Sequence, residues 1–224
     1  GAIAKKYLNS HGIYTEGYVS QIGSISAEDI NLTTAKTNKY FFCDESKLEE
    51  LDATFLELIE EGNSVGAKLG VRVSNCPIGL GEPVFDKIDA DIAKAIMSIN
   101  AVKSVSIGRV DNILDLKGSE ARDEITKNGF KSNNAGGILG GITNGDLIEL
   151  EFIVKPTSSI KSKGQTINTA GEEVKVEVTG RHDPCVGIRA VPIAEAMINL
   201  VLMDHLLRNQ AQCGKVDQSS PFDN

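Results

Sequence analysis

The run Gly180-Arg181-His182-Asp183-Pro184-Cys185-Val186-Gly187-Ile188-Arg189, continued by Ala190-Val191-Pro192-Ile193-Ala194-Glu195-Ala196, decides how this chain is read. It gathers Arg181, His182, Asp183, Cys185 and Arg189 at the mouth of an almost wholly apolar helix. Polar groups collected at the start of a buried helix cost desolvation energy, so a fold tends to keep them for a ligand. Two arginines in one short run suit an anion. A structural ion pair at a helix start is the competing account, and this run alone does not separate the two. Downstream, Pro192 to Asn209 predicts a helix with proline in its first turn and Arg208 in its last. Its apolar residues lie almost all round, as in a helix at the centre of a fold.

Upstream, the pattern is mixed. Ile13 to Ile22 reads as a strand. Asp44 is placed to cap a helix carrying Leu48, Leu51, Phe55, Leu58 and Ile59, which Gly62 ends. Ser64 to Val73 alternates Val65, Ala67, Leu69, Val71 and Val73 with polar residues, a strand with one buried face. Asp86 to Asn100 predicts a second helix with Ile88, Ile92, Ile96 and Ile99 on one side. Two more alternating segments, Ile148 to Val154 and Val174 to Val178, predict strands of antiparallel sheets with one wet face. The fold class expected is α+β, helices packed on antiparallel sheets. Asp111 to Phe130 is charged and loop-like, and Gly214 to Asn224 forms a polar tail expected to be mobile.

Composition narrows the function. The chain has 224 residues and a net charge of −8, which argues against broad nucleic-acid binding and leaves local basic patches as anion sites. Cys43, Cys76, Cys185 and Cys213 form no C-x-x-C pair and have no histidine at metal-ligand spacing, so no metal site is expected. Scattered cysteines of this kind suit a reducing, cytoplasmic setting. The longest apolar stretch, Ile193 to Met203, is interrupted by Glu195 and Asn199, so neither a membrane span nor a signal peptide is expected.

Two further segments bear on chemistry. Ser132 to Gly141 carries four glycines in ten residues, so the backbone can approach a flat ring or an anion closely. It fits neither common nucleotide-loop pattern, and a tight turn into a strand explains it equally well. Lys155-Pro156-Thr157-Ser158-Ser159 sets one ammonium and three hydroxyls at a strand end, a group suited to phosphate, or else a solvated loop.

These segments together resemble the chorismate synthase family. The resemblance runs through Gly1 to Leu8, Leu80 to Asp86, Met97 to Lys103, Ser132 to Ile142, Lys155 to Ile160 and the Gly180 run, in the family's order. It implies a β-α-β sandwich with central helices between antiparallel sheets, assembled as a homotetramer, with residues 1–213 as a single core fragment of it. The activity implied is that of a lyase of the shikimate pathway, in aromatic amino-acid biosynthesis. Phosphate is eliminated from 5-enolpyruvylshikimate 3-phosphate to give chorismate, with reduced flavin mononucleotide (FMN) as cofactor. Some members reduce the flavin themselves with NADPH and others do not. Residue by residue, the resemblance implies Asn100, Ala101, Gly140, Lys155, Pro156, Thr157, Ser158, Ser159 and Arg181 as flavin contacts. Asp183 is the candidate for proton acceptance, or for orienting a neighbouring cation, and a helix-start carboxylate is the alternative.

The chain also departs from the family. Its N-terminal G-E-S-H-G-like and R-P-G-H-A-D-like motifs, with two catalytic histidines and several substrate-binding arginines, have no counterpart here. His11, His182 and His205 stand in neither motif. The chain opens inside an apparent helix at Gly1, as a truncated form would. The expectation is therefore the C-terminal two-thirds of a chorismate synthase, without turnover by itself. The alternative is a non-catalytic flavin- or phosphate-binding module.

Overall fold

A computed structural model describes residues 1–111, 113–180 and 182–214. The expected tail at residues 214–224 therefore lies, apart from Gly214, outside the described residues, as does Arg181. The helices are α1 (Ala2–Ser10), α2 (Leu32–Thr37), α3 (Leu48–Glu61), α4 (Ile88–Met97), α5 (Gly118–Ala121) and α6 (Gly187–Cys213). The strands are β1 (Tyr14–Ile22), β2 (Ile25–Ser26), β3 (Ala67–Ser74), β4 (Val102–Ile107), β5 (Ile125–Thr126), β6 (Gly129–Phe130), β7 (Ile138–Leu139), β8 (Ile142–Thr143), β9 (Ile148–Val154), β10 (Gly164–Ile167) and β11 (Glu173–Val176). A five-stranded sheet has the order β2-β1-β3-β9-β4, and β10-β11, β5-β6 and β7-β8 form separate antiparallel pairs.

The chain divides into two compact units, and β1, β3, β9 and α6 each run on from one into the other. The first comprises Gly1–Gly17, Gly70–Phe152 and Val191–Asn224. Its core takes the buried side of α4 (Ile88, Ile92, Ile96), the strand residues Val71, Val73, Ile148, Leu150 and Phe152, and the inner face of α6 (Ala194, Ile198, Leu202, Leu206). Glycine is required at Gly17, where a Cβ would press on Val191 of α6.

From Val191 onward, the buried polar groups of α6 find partners within this unit. Glu195 accepts from the Gly17 N–H at 2.8 Å and pairs with Lys5 at 2.6 Å. Asn199 accepts from the Thr15 hydroxyl at 3.0 Å, and the buried His205 bonds Asp91 at 3.0 Å. Among the described residues α6 is the one helix whose length and composition would let it cross a membrane. Satisfied polar side chains and a protein-packed face are what a core helix needs. The helix is longer than Pro192 to Asn209. Its first turn carries Gly187 to Ala190 ahead of Pro192, and its outer face leaves Ile193, Leu200 and Leu207 exposed rather than buried all round.

The second unit comprises Tyr18–Leu69 and Ile153–Ala190. Asp44 caps a 3₁₀ turn, Glu45–Lys47, that leads into α3; its carboxylate accepts from Ser46 N–H and Oγ and from Glu28 N–H. These bonds hold its pKa down to about 2. Gly62 ends α3 in the left-handed conformation (φ 65°), as its sequence position predicts. Residues 23–43, which carry no periodic signal, fold around the Asn38 side chain. It accepts from the Tyr40 and Phe42 N–H groups and donates to the Thr34 and Phe42 carbonyls. The β10–β11 ribbon departs from expectation: Val174 and Val176 alternate, yet every residue of both strands is exposed. The pair stands as an isolated ribbon with no buried face, because the described chain provides no layer against it.

Candidate functional site

In the first unit, β7 and β8 pair Ile138 with Thr143 and Leu139 with Ile142, leaving Gly140-Gly141 as a two-residue hairpin turn. Both glycines have positive φ (63° and 84°), which a primed hairpin turn demands. The turn account of the glycine segment is thus fulfilled. Its four glycines nonetheless differ. A Cβ at Gly136 would strike the Gly108 backbone, one at Gly137 would come within 2.6 Å of the Leu147 carbonyl, and one at Gly141 would strike Lys87. At Gly140 a Cβ would meet nothing within 4 Å. Three glycines serve the protein's own packing, and only Gly140 offers bare backbone to open space.

Asn100 and Ala101 form the centre of a turn closed by the Val102 N–H to the Ile99 carbonyl at 3.3 Å. Ser98, not Asn100, is the C-cap of α4, so capping does not account for Asn100. Ala101 takes φ 69° at the position where such turns prefer glycine. A non-glycine residue held there costs of order 1–3 kcal/mol, and such strain gathers at functional sites. Ile88, the first residue of α4, donates its N–H to the Gly141 carbonyl, whereas Asn100 follows the helix's far end. Ten helical residues therefore separate Gly140 from Asn100, about 15 Å along the axis. The structure does not bring the two together.

In the second unit, β9 ends at Val154 and releases the Lys155 segment. Gly66 fits so closely against Val154 and Pro156 that a Cβ there would lie 2.6 Å from the Val154 carbonyl. Ser64 Oγ donates to the Thr157 carbonyl at 2.7 Å, fixing the next residue. Beyond these backbone anchors the polar groups are open. Lys155, Ser158 and Ser159 are exposed, and among the described residues no carboxylate pairs with Lys155.

The Gly180 run is pinned at both ends of its described part. Val65 N–H donates to the Pro184 carbonyl at 2.8 Å, and a Cβ at Gly187 would lie 2.5 Å from that of Ala67. The buried Cys185 sulfur accepts from the Gly187 and Ile188 N–H groups, so it caps α6, and burial pushes its thiol pKa up. Asp183 is half-buried and pairs with Arg189 at 3.0 Å. The helix-start ion pair is therefore present, and it leaves Asp183 at the wall of a cavity of about 480 Å³. Lys161, His182, Pro184, Leu58 and Ile59 line the same cavity. No cluster among the described residues is built to hold a metal ion.

Asp123 plays a part in this geometry that periodicity and spacing do not reveal, since it lies in the charged stretch read as loop. Its carboxylate organises the entry to the glycine segment, and only the acceptor-rich chemistry of aspartate before an N-N-A-G-G turn hints at it.

Fold and segments together define an α+β protein with a bare-backbone hairpin in one unit and an open lysine–hydroxyl segment in the other. The family model for chorismate synthase matches residues 1–207. A crystal structure of chorismate synthase superposes with a TM-score of 0.76 at 29% identity, covering 93% of this chain and 61% of that one. The chain belongs to the chorismate synthase family, and its mixed fold with antiparallel pairing is the α+β class expected. It spans about three fifths of the length of that solved relative.

Proposed function

We propose that this chain carries the flavin-holding part of a chorismate synthase, the lyase that eliminates phosphate from 5-enolpyruvylshikimate 3-phosphate to give chorismate. The observation that supports it most is the Lys155 segment: among the described residues, one ammonium and two exposed hydroxyls stand without protein partners on a backbone anchored at Gly66 and Ser64. Polar donors kept open on a fixed frame fit an anion, and flavin mononucleotide supplies one in its phosphate. The open space above Gly140 and the strained Ala101 fit a planar group in the same way. Standing about 15 Å apart along α4, they would meet different ends of an extended ligand.

On this reading, Asn100, Ala101 and Gly140 contact the cofactor through backbone and amide groups. Lys155 to Ser159 and Arg181 hold anionic oxygens. Asp183 takes a proton released from the cofactor or substrate, or keeps Arg189 oriented toward the leaving phosphate. In the reaction, the carbon–oxygen bond to phosphate breaks and a ring proton departs, with no net change of oxidation state. Reduced flavin, when bound, supplies the electron that is lent and recovered. The family resemblance further suggests NADPH as the flavin's reductant in some members, a homotetramer and a cytoplasmic, aromatic amino-acid biosynthetic role.

This chain by itself is proposed to lack turnover, because the histidine-bearing motifs have no counterpart in it. Titration of the chain with flavin mononucleotide, followed by flavin fluorescence with and without the substrate ester, tests the cofactor reading. Saturable binding that the ester tightens is expected; no binding at millimolar flavin refutes it. A turnover assay separates the lyase reading from the alternative of a non-catalytic flavin- or phosphate-binding module. Complementation of the chain by the rest of a family enzyme restores turnover in the first case only.

A further inference from the structure

Asp123 lies outside every segment through which the family resemblance runs, yet three donors converge on it. One carboxylate oxygen accepts from the Ser132 hydroxyl at 2.6 Å and from the Asn134 N–H at 2.8 Å. The other accepts from the Ala135 N–H at 2.8 Å. Burial acts to raise its pKa, but the bonds from Ser132, Ala135 and Asn134 outweigh it and hold the carboxyl below its ordinary value. A carboxylate engaged in this way has no call to bind an external anion, which its charge would repel.

Its effect is on the chain that follows. The three bonds fix residues 132–135 immediately before Gly136 and Gly137. Those glycines then pack against the backbones of Gly108 and Leu147, with the Asn133 side chain bonding the Gly137 N–H at 2.8 Å and the Leu147 carbonyl at 2.8 Å. From that fixed entry, β7 carries the chain to the turn at Gly140. The Arg109 N–H, two residues past the end of β4, also bonds the Asn134 carbonyl at 2.8 Å, so the same entry is tied to the strand that starts at Val102, just after Ala101. Both first-unit segments assigned to the cofactor thus lead back to the residues Asp123 holds.

We infer that Asp123 is a positioning residue: it sets the entry to the glycine hairpin so that Gly140 presents its bare backbone to the planar anionic cofactor. This rests on the flavin reading above.

The test uses three variants of the chain and two readouts. Flavin mononucleotide affinity is measured by fluorescence titration, and amide hydrogen exchange is measured across residues 132–141 without flavin. Asp123→Ala is expected to weaken flavin binding at least ten-fold and to speed exchange in 132–141 at least ten-fold, with exchange in β3 and β9 unchanged. Asp123→Asn is expected to behave like Asp123→Ala, because an amide nitrogen would face one of the N–H groups that the carboxylate accepts. Ser132→Ala removes one of the three donors and is expected to weaken binding about three-fold; it and Asp123→Asn carry the test if Asp123→Ala does not fold. Faster loop exchange with unchanged flavin affinity overturns the inference and leaves the flavin reading standing. Failure of the unaltered chain to bind flavin overturns the flavin reading, and the role of Asp123 with it.

Discussion

The glycine hairpin of the first unit and the Lys155-to-Arg189 region of the second, each proposed to contact flavin, are held in opposite ways. Around the hairpin the polar groups are used internally: Asp123 takes three donors, Asn133 bridges Gly137 and Leu147, and Gly136 and Gly137 pack against backbone while Gly141 packs against the Lys87 side chain. Around Lys155 the backbone is fixed at Gly66 and Thr157, while the side chains are left open. The first region offers shape prepared in advance. The second offers charge waiting for an anion. Substitutions should therefore cost stability in the first region, and affinity without stability in the second.

The largest effect tests the shape half. Gly136→Ala places a Cβ against the Gly108 backbone at a residue with φ 65°, combining overpacking with left-handed strain. A loss above about 3 kcal/mol is expected, which for a chain of this size lowers the melting temperature by roughly 10 °C. Gly140→Ala has the same sign of φ but open space around the Cβ, so strain alone remains, about 1–2 kcal/mol. Calorimetry that found the two equal would mean the hairpin is not held by packing, and the contrast between the regions would fall.

Next comes the charge half. Lys155→Ala should leave the melting temperature within about 1 °C, since the exposed ammonium has no partner to lose among the described residues. It should weaken flavin mononucleotide binding by about 1–3 kcal/mol, as expected of a charge-assisted phosphate contact. The same titration with riboflavin, which lacks the phosphate, should show no difference between the variant and the parent chain. A loss of only a few tenths of a kcal/mol would return Lys155 to a solvated loop.

The contrast also explains what the sequence made legible. Periodicity located β3, α4 and β9 because one face of each is buried, and Gly62 marked the end of α3 because only a left-handed residue fits there. The same alternation at Val174 and Val176 misleads, since period-two patterning records what a strand can bury and not whether a layer exists to bury it. Pro192 marks a turn of α6 but not its start, because Gly187 and the Cys185 cap extend the helix upstream. The open residues, Lys155 and its hydroxyls, were legible as a polar run at a strand end. Asp123 was not, because its partners lie nine to twelve residues away and depend on a loop geometry that no local propensity encodes.

Acid should separate the regions further. Asp123 has a folded pKa below its ordinary value, so it stabilises the hairpin at neutral pH. That contribution is complete above the unfolded carboxylate pKa and is lost as pH falls through the lower folded one. Exchange at the Asn134 and Ala135 amides should therefore accelerate below about pH 4, beyond the intrinsic pH trend of the same residues in Asp123→Ala. Identical acid behaviour in the two chains would show that the carboxylate's charge does not hold the loop.

The smallest effect bears on Asp183 and Arg189, the ion pair at the start of α6. Arg189 is 63% exposed and Asp183 30%, so water screens much of their attraction despite the 3.0 Å separation. Pro184 and Gly187 already fix the run through the Val65 bond and the close approach to Ala67, and Cys185 caps the helix. The pair is therefore redundant as a lock, and Arg189→Ala should cost no more than about 0.5 kcal/mol, a shift of 1–2 °C in melting temperature. A redundant pair is free to exchange partners, and under the proposed function a phosphate would draw Arg189 away and leave Asp183 to accept a proton. A loss of several kcal/mol would instead make the pair part of the frame, and the second region would then be prepared in advance like the first.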